Sequence, residues 1–225
     1  MKAFLIKKEI IATETLALQF EAENPIEFQA GQYGIFELIA PPFTEEGKPN
    51  KRVLSFASSP KESPLFTIAT RKSPSAYKRS LAILEKGQAI ELGRIGGNFL
   101  LPTNTDRPLV LIAGGMGITP FISMLKTIID IKRPYQIKLF YSNHSRKTAA
   151  FYDELVLYEN SLPNFQYIPV LNERFSSSIL KKYVPDILTP TYMLVGPPPM
   201  MDTVLPLLIT EGIPQSDIIT EKFSG

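Results

Sequence analysis

The chain has 225 residues, of which 44% are hydrophobic and 20% are charged, and its formal net charge is +2 at pH 7. This composition is typical of a globular protein that buries a core of its own, and so weak a charge does not favour nucleic acid as a partner. With no cysteine and one histidine, the sequence excludes disulfides, thiol catalysis, cysteine-ligated iron–sulfur clusters and a histidine metal cluster, so no metal site is predicted.

The N-terminal stretch MKAFLIKKEIIATETLAL lacks the long apolar segment and the small-residue cleavage site of a secretory signal. We interpret it as a strand that enters a fold. The protein is therefore expected in the cytoplasm.

Up to about Asn104 the chain consists of short runs in which β-branched and aromatic residues alternate or cluster between Pro, Gly, Asn and Ser. The runs are AFLIKKEIIA, TLALQFEA, GQYGIFELIA, RVLSFASSP, PLFTIATR and QAIELGRIGG. Their spacing predicts an antiparallel β-barrel or sandwich. One helix is predicted within this region, over about residues 76–84.

After LPTNTDRP the pattern changes to alternating strands and helices. LVLIAGG is apolar throughout, as a strand buried on both faces is, and QIKLFYSN, FQYIPVLN and TYMLVGPP are further strands. Helical patterns follow in PFISMLKTIIDI, KTAAFYDELVLYEN, SSILKKYV and MMDTVLPLLITEG. This alternation predicts a parallel α/β sheet. We predict two domains, residues 1–103 and 104–225.

The segment LVLIAGGMGITPFISML, residues 109–125, is apolar enough to raise the question of a membrane span. It is shorter than the roughly 20 residues that a membrane helix requires, and it has no flanking belt of aromatic or arginine residues. We therefore expect no membrane span.

Three glycines in this segment lie between a predicted strand and a predicted helix, for which Thr119 is a good N-cap and Pro120 suits the first position. Gly114, Gly115 and Gly117 either satisfy the packing of a tight turn or let the backbone approach a phosphate at the helix N-terminus. The segment is not the usual dinucleotide fingerprint, because Pro120 stands where the third glycine belongs and the next strand ends in FYSNHSR, without an acidic residue.

Three further segments have residues suited to ligands. In YMLVGPPPMM, Gly196 ends a strand and the prolines block an immediate helix, which gives either a ligand-binding wall or a rigid loop. In KRVLSFASSP, Arg52 and Ser55 either face a ligand or form the solvated face of an edge strand. In TRKSPSAYKRS, four basic residues surround the start of the 76–84 helix, as a pyrophosphate site or as an exposed basic loop.

Taken in chain order, the motifs RxxSxxS, the basic helix start, GGxGITP and VGPPxM resemble the ferredoxin–NADP reductase superfamily of flavoproteins. The resemblance spans nearly the whole chain and includes FQAGQYGIF, GRIGGNFLLP and the ending EKFSG. It implies an antiparallel FAD-binding barrel followed by an α/β domain that binds NADPH or NADH. It implies no iron–sulfur domain in this chain.

The resemblance also implies roles for individual residues. Arg52 would pair with the flavin phosphates, the Ser55 hydroxyl would lie near flavin N5 as the catalytic group, and the start of the 76–84 helix would meet the pyrophosphate. The residues assigned to FAD are Arg52, Val53, Leu54, Ser55, Ile68, Thr70, Ala76, Tyr77, Lys78 and Phe223. Those assigned to the nicotinamide nucleotide are Gly114, Gly115, Gly117, Thr119, Ser142, Asn143, Arg146, Gly196, Pro197 and Met200. Leu54 stands where the family usually has tyrosine, and Val195 where many members have cysteine.

The implied activity is hydride transfer from nicotinamide C4 to flavin N5, in which the protein supplies binding and orientation. The electrons would leave for a separate acceptor, ferredoxin or another electron-transfer protein, or for a small molecule. Two alternatives stay open: a flavin reductase that uses loosely bound flavin as a substrate, and a non-catalytic subunit that binds flavin or nucleotide. Arg146 and Lys147 slightly favour NADPH over NADH.

Overall fold

Six antiparallel strands form the N-terminal half of the protein in the computed structural model, which describes residues 1–104 and 106–223. The strands are β1 (Lys2–Ala12), β2 (Thr15–Ala22), β3 (Tyr33–Leu38), β4 (Lys51–Ser55), β5 (Leu65–Arg71) and β6 (Ala89–Gly96). They pair in the order β4-β3-β6-β1-β2-β5, and a bridge between Phe56 and Ile68 joins the two ends into a barrel. Helix α1 (Ala76–Ile83) forms as predicted and packs Tyr77 and Leu81 onto the core of the barrel.

The core of the barrel is rich in phenylalanine because alternate residues of each strand point inward. Five rings make stacked, tilted or edge-on contacts with centroid distances from 4.1 to 5.8 Å: Phe20, Phe28, Phe36, Phe56 and Phe66. Such pairs contribute about 0.5–1.5 kcal/mol each beyond the area they bury, so the barrel has a rigid centre.

Five parallel strands form a second sheet, in the order β11-β10-β7-β8-β9. They are β7 (Leu109–Gly114), β8 (Ile137–Asn143), β9 (Phe165–Leu171), β10 (Thr191–Gly196) and β11 (Ile218–Lys222). The remaining helices are α2 (Ile118–Ile131), α3 (Tyr152–Ser161), α4 (Ser177–Tyr183) and α5 (Pro198–Thr210). All six residues of β7 are buried, as predicted for the central strand. The predicted combination of an antiparallel barrel and a parallel α/β sheet is confirmed.

The structure divides into two compact units, one made of Met1–Leu101 with Thr119–Asp130, the other of Pro102–Ile118 with the residues from Ile131 onward. Most of α2 thus belongs to the first unit, where Ser123 Oγ donates to the Ser58 carbonyl at 2.6 Å. The single boundary between residues 103 and 104 stays a prediction. The last two residues of EKFSG, Ser224 and Gly225, lie outside the described residues.

In residues 1–104 and 106–223, no helix combines the length and the apolar character that crossing a membrane requires.

Two helix starts differ from the sequence predictions. Helix α2 begins at Ile118, directly after a 3-10 turn over Gly115–Gly117, so Thr119 lies inside the first turn and does not cap it. The prolines after Gly196 do not block a helix, because α5 begins at Pro198. A proline suits the first helical position, where the N–H it lacks would have no partner in the helix.

Two further elements depend on features that the hydrophobic pattern did not reveal. Helix α3 begins at Tyr152 and not at Lys147, because Phe151 has a left-handed backbone with φ 59°. Strand β11 was not predicted; it forms by parallel pairing with β10, from Ile218 opposite Tyr192 onward.

Candidate functional site

A group of positive side chains gathers where β4 meets the start of α1. Arg52 is half-buried on β4, and its guanidinium carbon lies 5.2 Å from the ring centroid of Tyr77. Burial first, and then repulsion from Arg52 and Arg71, hold the pKa of Lys78 below its usual value. We call Arg52, Arg71 and Lys78 the cation group. Because like charges held together favour the binding of an anion, the group is suited to a phosphate.

The N-terminus of α1 adds a second attraction for negative charge. Ser75 is the N-cap, and its Oγ accepts from the Lys78 N–H at 3.4 Å. The Ala76 N–H donates to Glu45 Oε1 at 3.0 Å, so a carboxylate from the loop between β3 and β4 lies at the positive end of the helix dipole. Glu45 also forms an ion pair with Lys48 at 2.6 Å. The sequence analysis did not name Glu45, because no motif or spacing connects this loop residue to the helix.

Ser55 lies at the end of β4 and is 6% exposed. Among the described residues its hydroxyl has no hydrogen-bonding partner, so it is available to a ligand. The next residue, Phe56, bridges Ile68 on β5, and this bridge places the predicted Ile68–Thr70 segment beside the end of β4. The structure therefore brings these predicted flavin residues together.

Alternation along β4 separates two other predicted flavin residues. Leu54 packs against the core of the barrel. Val53 points to the opposite face and is 57% exposed, with Ile35 of β3 as its cross-strand neighbour. A ligand that lies on the Arg52 side of β4 can therefore contact only the backbone of Val53, not its side chain.

At the carboxyl edge of the parallel sheet, three glycines are required by close packing. A Cβ on Gly114 would lie 2.2 Å from Met200 Sδ, and one on Gly117 would lie 2.5 Å from the Val195 carbonyl oxygen. A Cβ on Gly196 would lie 2.9 Å from Met200 Sδ and 3.4 Å from the Gly114 nitrogen. The packing explanation thus accounts for these three residues, and the contacts join the two segments predicted to bind the nucleotide.

These two segments lie at the topological switch point of the sheet. From β7 the chain first adds β8 and β9 on one side and then β10 and β11 on the other. In open α/β sheets, ligands bind at the carboxyl ends of the strands beside such a point. Gly115 remains open to a ligand there, because it has a φ of +53° and no atom within 4 Å of its missing Cβ. Tyr141 fixes the turn by donating to the Gly115 carbonyl at 2.9 Å.

The end of β8 carries the residues predicted near the adenosine ribose. Ser142 pairs with Gly114 in the ladder, and the buried Asn143 Nδ2 has no partner among residues 1–104 and 106–223. Arg146 lies 4.5 Å from the ring centroid of Tyr152 and forms an ion pair with Asp153 at 2.9 Å. The strand ending FYSNHSR has no acidic residue of its own, but the structure places Asp153 of α3 beside Arg146.

Strand β11 contributes a carboxyl group that the sequence analysis did not single out. Glu221 lies opposite Val195 in the parallel ladder, and its Oε2 is buried without a hydrogen-bond partner in the described part of the chain. Burial raises the pKa of Glu221 to about 7. Phe223, assigned to the flavin by the resemblance, is placed beside Gly196, to whose carbonyl its N–H donates at 3.4 Å.

Three comparisons show what the chain is similar to in sequence and in fold. The oxidoreductase NAD-binding domain family matches residues 111–205. The toluate 1,2-dioxygenase electron transfer component of Pseudomonas putida is 28% identical over 224 residues, which cover 95% of this chain and 64% of that protein. The structure of ferredoxin-NADP+ reductase from Plasmodium falciparum has a TM-score of 0.80 at 17% identity, with 99% of this chain and 95% of that chain covered. These likenesses agree with the resemblance to the ferredoxin–NADP reductase superfamily that the sequence motifs indicate.

A further structure has the same fold over the whole chain. The flavohem-like FAD/NAD binding domain of nitric oxide dioxygenase from Vibrio cholerae has a TM-score of 0.87 at 19% identity, covering 100% of this chain and 98% of that one. At such identities a structural likeness establishes the fold alone. The chain also spans less than two thirds of the length of the toluate dioxygenase component. The two-domain fold is thus shared with these structures, while the roles of individual residues stay predictions.

Proposed function

We propose that this chain is an NAD(P)H-dependent FAD reductase that passes electrons from a nicotinamide nucleotide through flavin to a separate acceptor. Residues 1–103 would bind FAD and residues 104–225 the nucleotide. The observation that carries the proposal is the cation group beside the α1 N-terminus and the buried Ser55. The name of the Pseudomonas putida relative, an electron transfer component, supports the same class of activity.

The residues present fit FAD. The cation group and the positive end of the α1 dipole match the two negative charges of a pyrophosphate, and Arg52 has the planar fork that phosphate oxygens favour. Burial and then repulsion from Arg52 and Arg71 lower the pKa of Lys78, and an added anion would stabilise its charged form. When bound, FAD supplies a ring that accepts a hydride and releases electrons singly or in pairs.

The chain's own groups would bind and orient. Arg52 would hold the flavin phosphate, the α1 N–H groups would fix the pyrophosphate, and the Ser55 hydroxyl would donate a hydrogen bond at the reactive edge of the ring. At the switch point, Gly115 would let the nucleotide approach the backbone, and Arg146 would lie near its adenosine ribose. The acceptor would be ferredoxin, another electron-transfer protein or a small molecule. A nicotinamide nucleotide as donor fits a cytoplasmic location.

An anaerobic absorbance titration tests the proposal. The protein is reconstituted with FAD and titrated with NADH and NADPH side by side. We expect one nucleotide to bleach the flavin absorbance rapidly. Bound flavin that neither nucleotide bleaches would overturn the reductase activity and favour a non-catalytic subunit, and the absence of any flavin binding would overturn the site itself.

The Ser55→Ala variant tests the catalytic residue. We expect it to keep FAD bound and to slow flavin reduction about tenfold to a hundredfold in single-turnover stopped flow, because a hydrogen bond to the reacting ring is lost. The variant Ser216→Ala, which changes an exposed hydroxyl in the other half of the chain, serves as a control for general effects. Unchanged single-turnover rates in Ser55→Ala would remove this residue from the mechanism.

A further inference from the structure

The loop between β3 and β4, residues 39–50, is tied to helix α1 at several points. The Phe43 N–H donates to Ser80 Oγ at 3.1 Å, and that hydroxyl donates to the Phe43 carbonyl at 3.1 Å. The Arg79 guanidinium carbon lies 3.8 Å from the ring centroid of Phe43. These contacts hold the following residues of the loop, Glu45 among them, against the start of the helix.

The carboxylate of Glu45 occupies a position defined by positive groups. It accepts from the Ala76 N–H at 3.0 Å and pairs with Lys48 at 2.6 Å. The hydrogen bond from Lys48, then that from the Ala76 N–H, and more weakly the charge of Arg52, hold the pKa of Glu45 below its usual value. Glu45 is therefore ionised at neutral pH, and two of the groups that attract it, Arg52 and the Ala76 N–H, are the groups assigned to the flavin phosphates.

We infer that Glu45 is a specificity-determining residue of the flavin site, which competes with the flavin phosphates for the α1 N-terminus and Arg52. The inference rests on the proposed function. A carboxylate and a phosphate cannot both accept from the Ala76 N–H, and their negative charges repel at short range. The phosphate must displace Glu45, so FAD is bound less tightly than the cation group alone would allow.

This competition acts on the phosphate and not on the ring. Riboflavin has the same isoalloxazine ring and ribityl chain as FAD but no phosphate. It can therefore bind without displacing Glu45 from the α1 N-terminus. The competition therefore weakens the binding of FAD and leaves that of riboflavin unchanged.

The variant Glu45→Gln, which removes the charge and keeps the size of the side chain, tests the inference. Dissociation constants for FAD and riboflavin are measured by flavin fluorescence at fixed ionic strength. We expect Glu45→Gln to bind FAD about three- to tenfold more tightly than the wild type, because the amide binds the helix end more weakly than a carboxylate. Riboflavin binding is expected to stay unchanged, which also shows that the variant is folded.

The neighbouring Glu46 provides a matched control, since it is exposed and no contact of its side chain is found in the described residues. Glu46→Gln changes the net charge equally and is expected to bind FAD as the wild type does. Equal effects of the two variants, or weaker FAD binding by Glu45→Gln, would overturn the inference and leave the proposed function standing. If no form of the protein binds FAD or riboflavin, both the inference and the proposed function are wrong.

Discussion

The cation group of the barrel depends on charge, whereas the carboxyl edge of the parallel sheet depends on close packing. We call Gly114, Gly117 and Gly196 at that edge, with the residues packed on them, the glycine edge. Arg52, Arg71 and Lys78 attract an anion by charge, and burial first, then repulsion from the two arginines, lowers the pKa of Lys78. Gly114 and Gly117 carry no charge; a Cβ on Gly117 would collide with the Val195 backbone, and one on Gly114 with the Met200 side chain. The first region should therefore respond to charge and salt, and the second to the addition of a single methyl group.

The largest expected effect comes from adding a methyl group at the glycine edge. In Gly117→Ala the new Cβ would lie 2.5 Å from the Val195 carbonyl oxygen, and backbone cannot move aside as a flexible side chain can. We expect a loss of about 3 kcal/mol or more in the free energy of unfolding and a loss of flavin bleaching by either nucleotide. Urea denaturation and the anaerobic titration measure these two effects.

The same turn supplies a control for this variant. Gly115→Ala adds a methyl group in open space, so its cost is only that of an alanine in the left-handed conformation, about 1–2 kcal/mol. Equal destabilisation by the two variants would show that backbone conformation and not packing determines the glycine edge.

The next largest effect should come from removing a charge in the cation group. Arg52→Gln is expected to weaken FAD binding about tenfold to a hundredfold, the value of a charge-assisted hydrogen bond to phosphate. Riboflavin binding should change little, and the dependence of FAD binding on salt should become shallower. Fluorescence titrations at several salt concentrations test this, with Arg94→Gln as the control, since Arg94 is exposed on β6. A salt dependence equal to that of the wild type would show that the region does not bind phosphate through Arg52.

The third prediction concerns the one buried carboxyl group described at the glycine edge. Because burial raises the pKa of Glu221 from 4.5 to about 7, the folded state holds a proton that the unfolded state has lost in this interval. The free energy of unfolding should therefore fall as the pH rises from about 4.5 through about 7, by about 1–3 kcal/mol, and then level off. Glu221→Gln should remove this fall. Denaturation curves at pH 5 and pH 8 measure this difference in the free energy of unfolding. If the variant shows the same difference as the wild type, Glu221 is not its source.

The smallest effect is expected at Arg146, a charged residue that follows β8 of the parallel sheet. Asp153 pairs with Arg146 in the open, so Asp153→Asn should free the guanidinium for a ribose 2′-phosphate and shift the preference toward NADPH about two- to fivefold. The ratio of bleaching rates with NADPH and NADH measures the shift. Glu173→Gln, a change of equal charge at an exposed residue, should leave the ratio unchanged. A shift of the same size in both variants would indicate a general charge effect.

Local pattern was sufficient for most of the fold. The alternation in TLALQFEA predicted β2, and the structure has that strand over Thr15–Ala22. The apolar run LVLIAGG predicted the central strand because a strand buried on both faces has no polar side to show. Strand β11 was missed since its five residues form a strand only by pairing with β10. The placement of most of α2 with the barrel likewise depends on distant contacts, such as that between Ser123 and Ser58.

The candidate site divides in the same way. Arg52 and Ser55 could be named because they stand at the spacing of the RxxSxxS motif, on which the resemblance rests. Glu45 and Asp153 could not, because each reaches its partner through a loop or a turn whose shape is set by tertiary packing. Both are acidic, and both lie beside a cation assigned to a ligand. A pattern of spacing finds the groups that attract a ligand more readily than the groups that oppose it.

Met200 covers both Gly114 and Gly196, and its sulfur lies where even a methyl group on either glycine would collide. Oxidation of Met200 to the sulfoxide would add a polar oxygen to a sulfur that is packed against Gly114 and Gly196. Reduced flavins that meet dioxygen produce peroxide, so a flavin reductase that turns over in air would generate an oxidant of its own vulnerable residue. Oxidation of Met200 would then limit how long the protein stays active under oxygen.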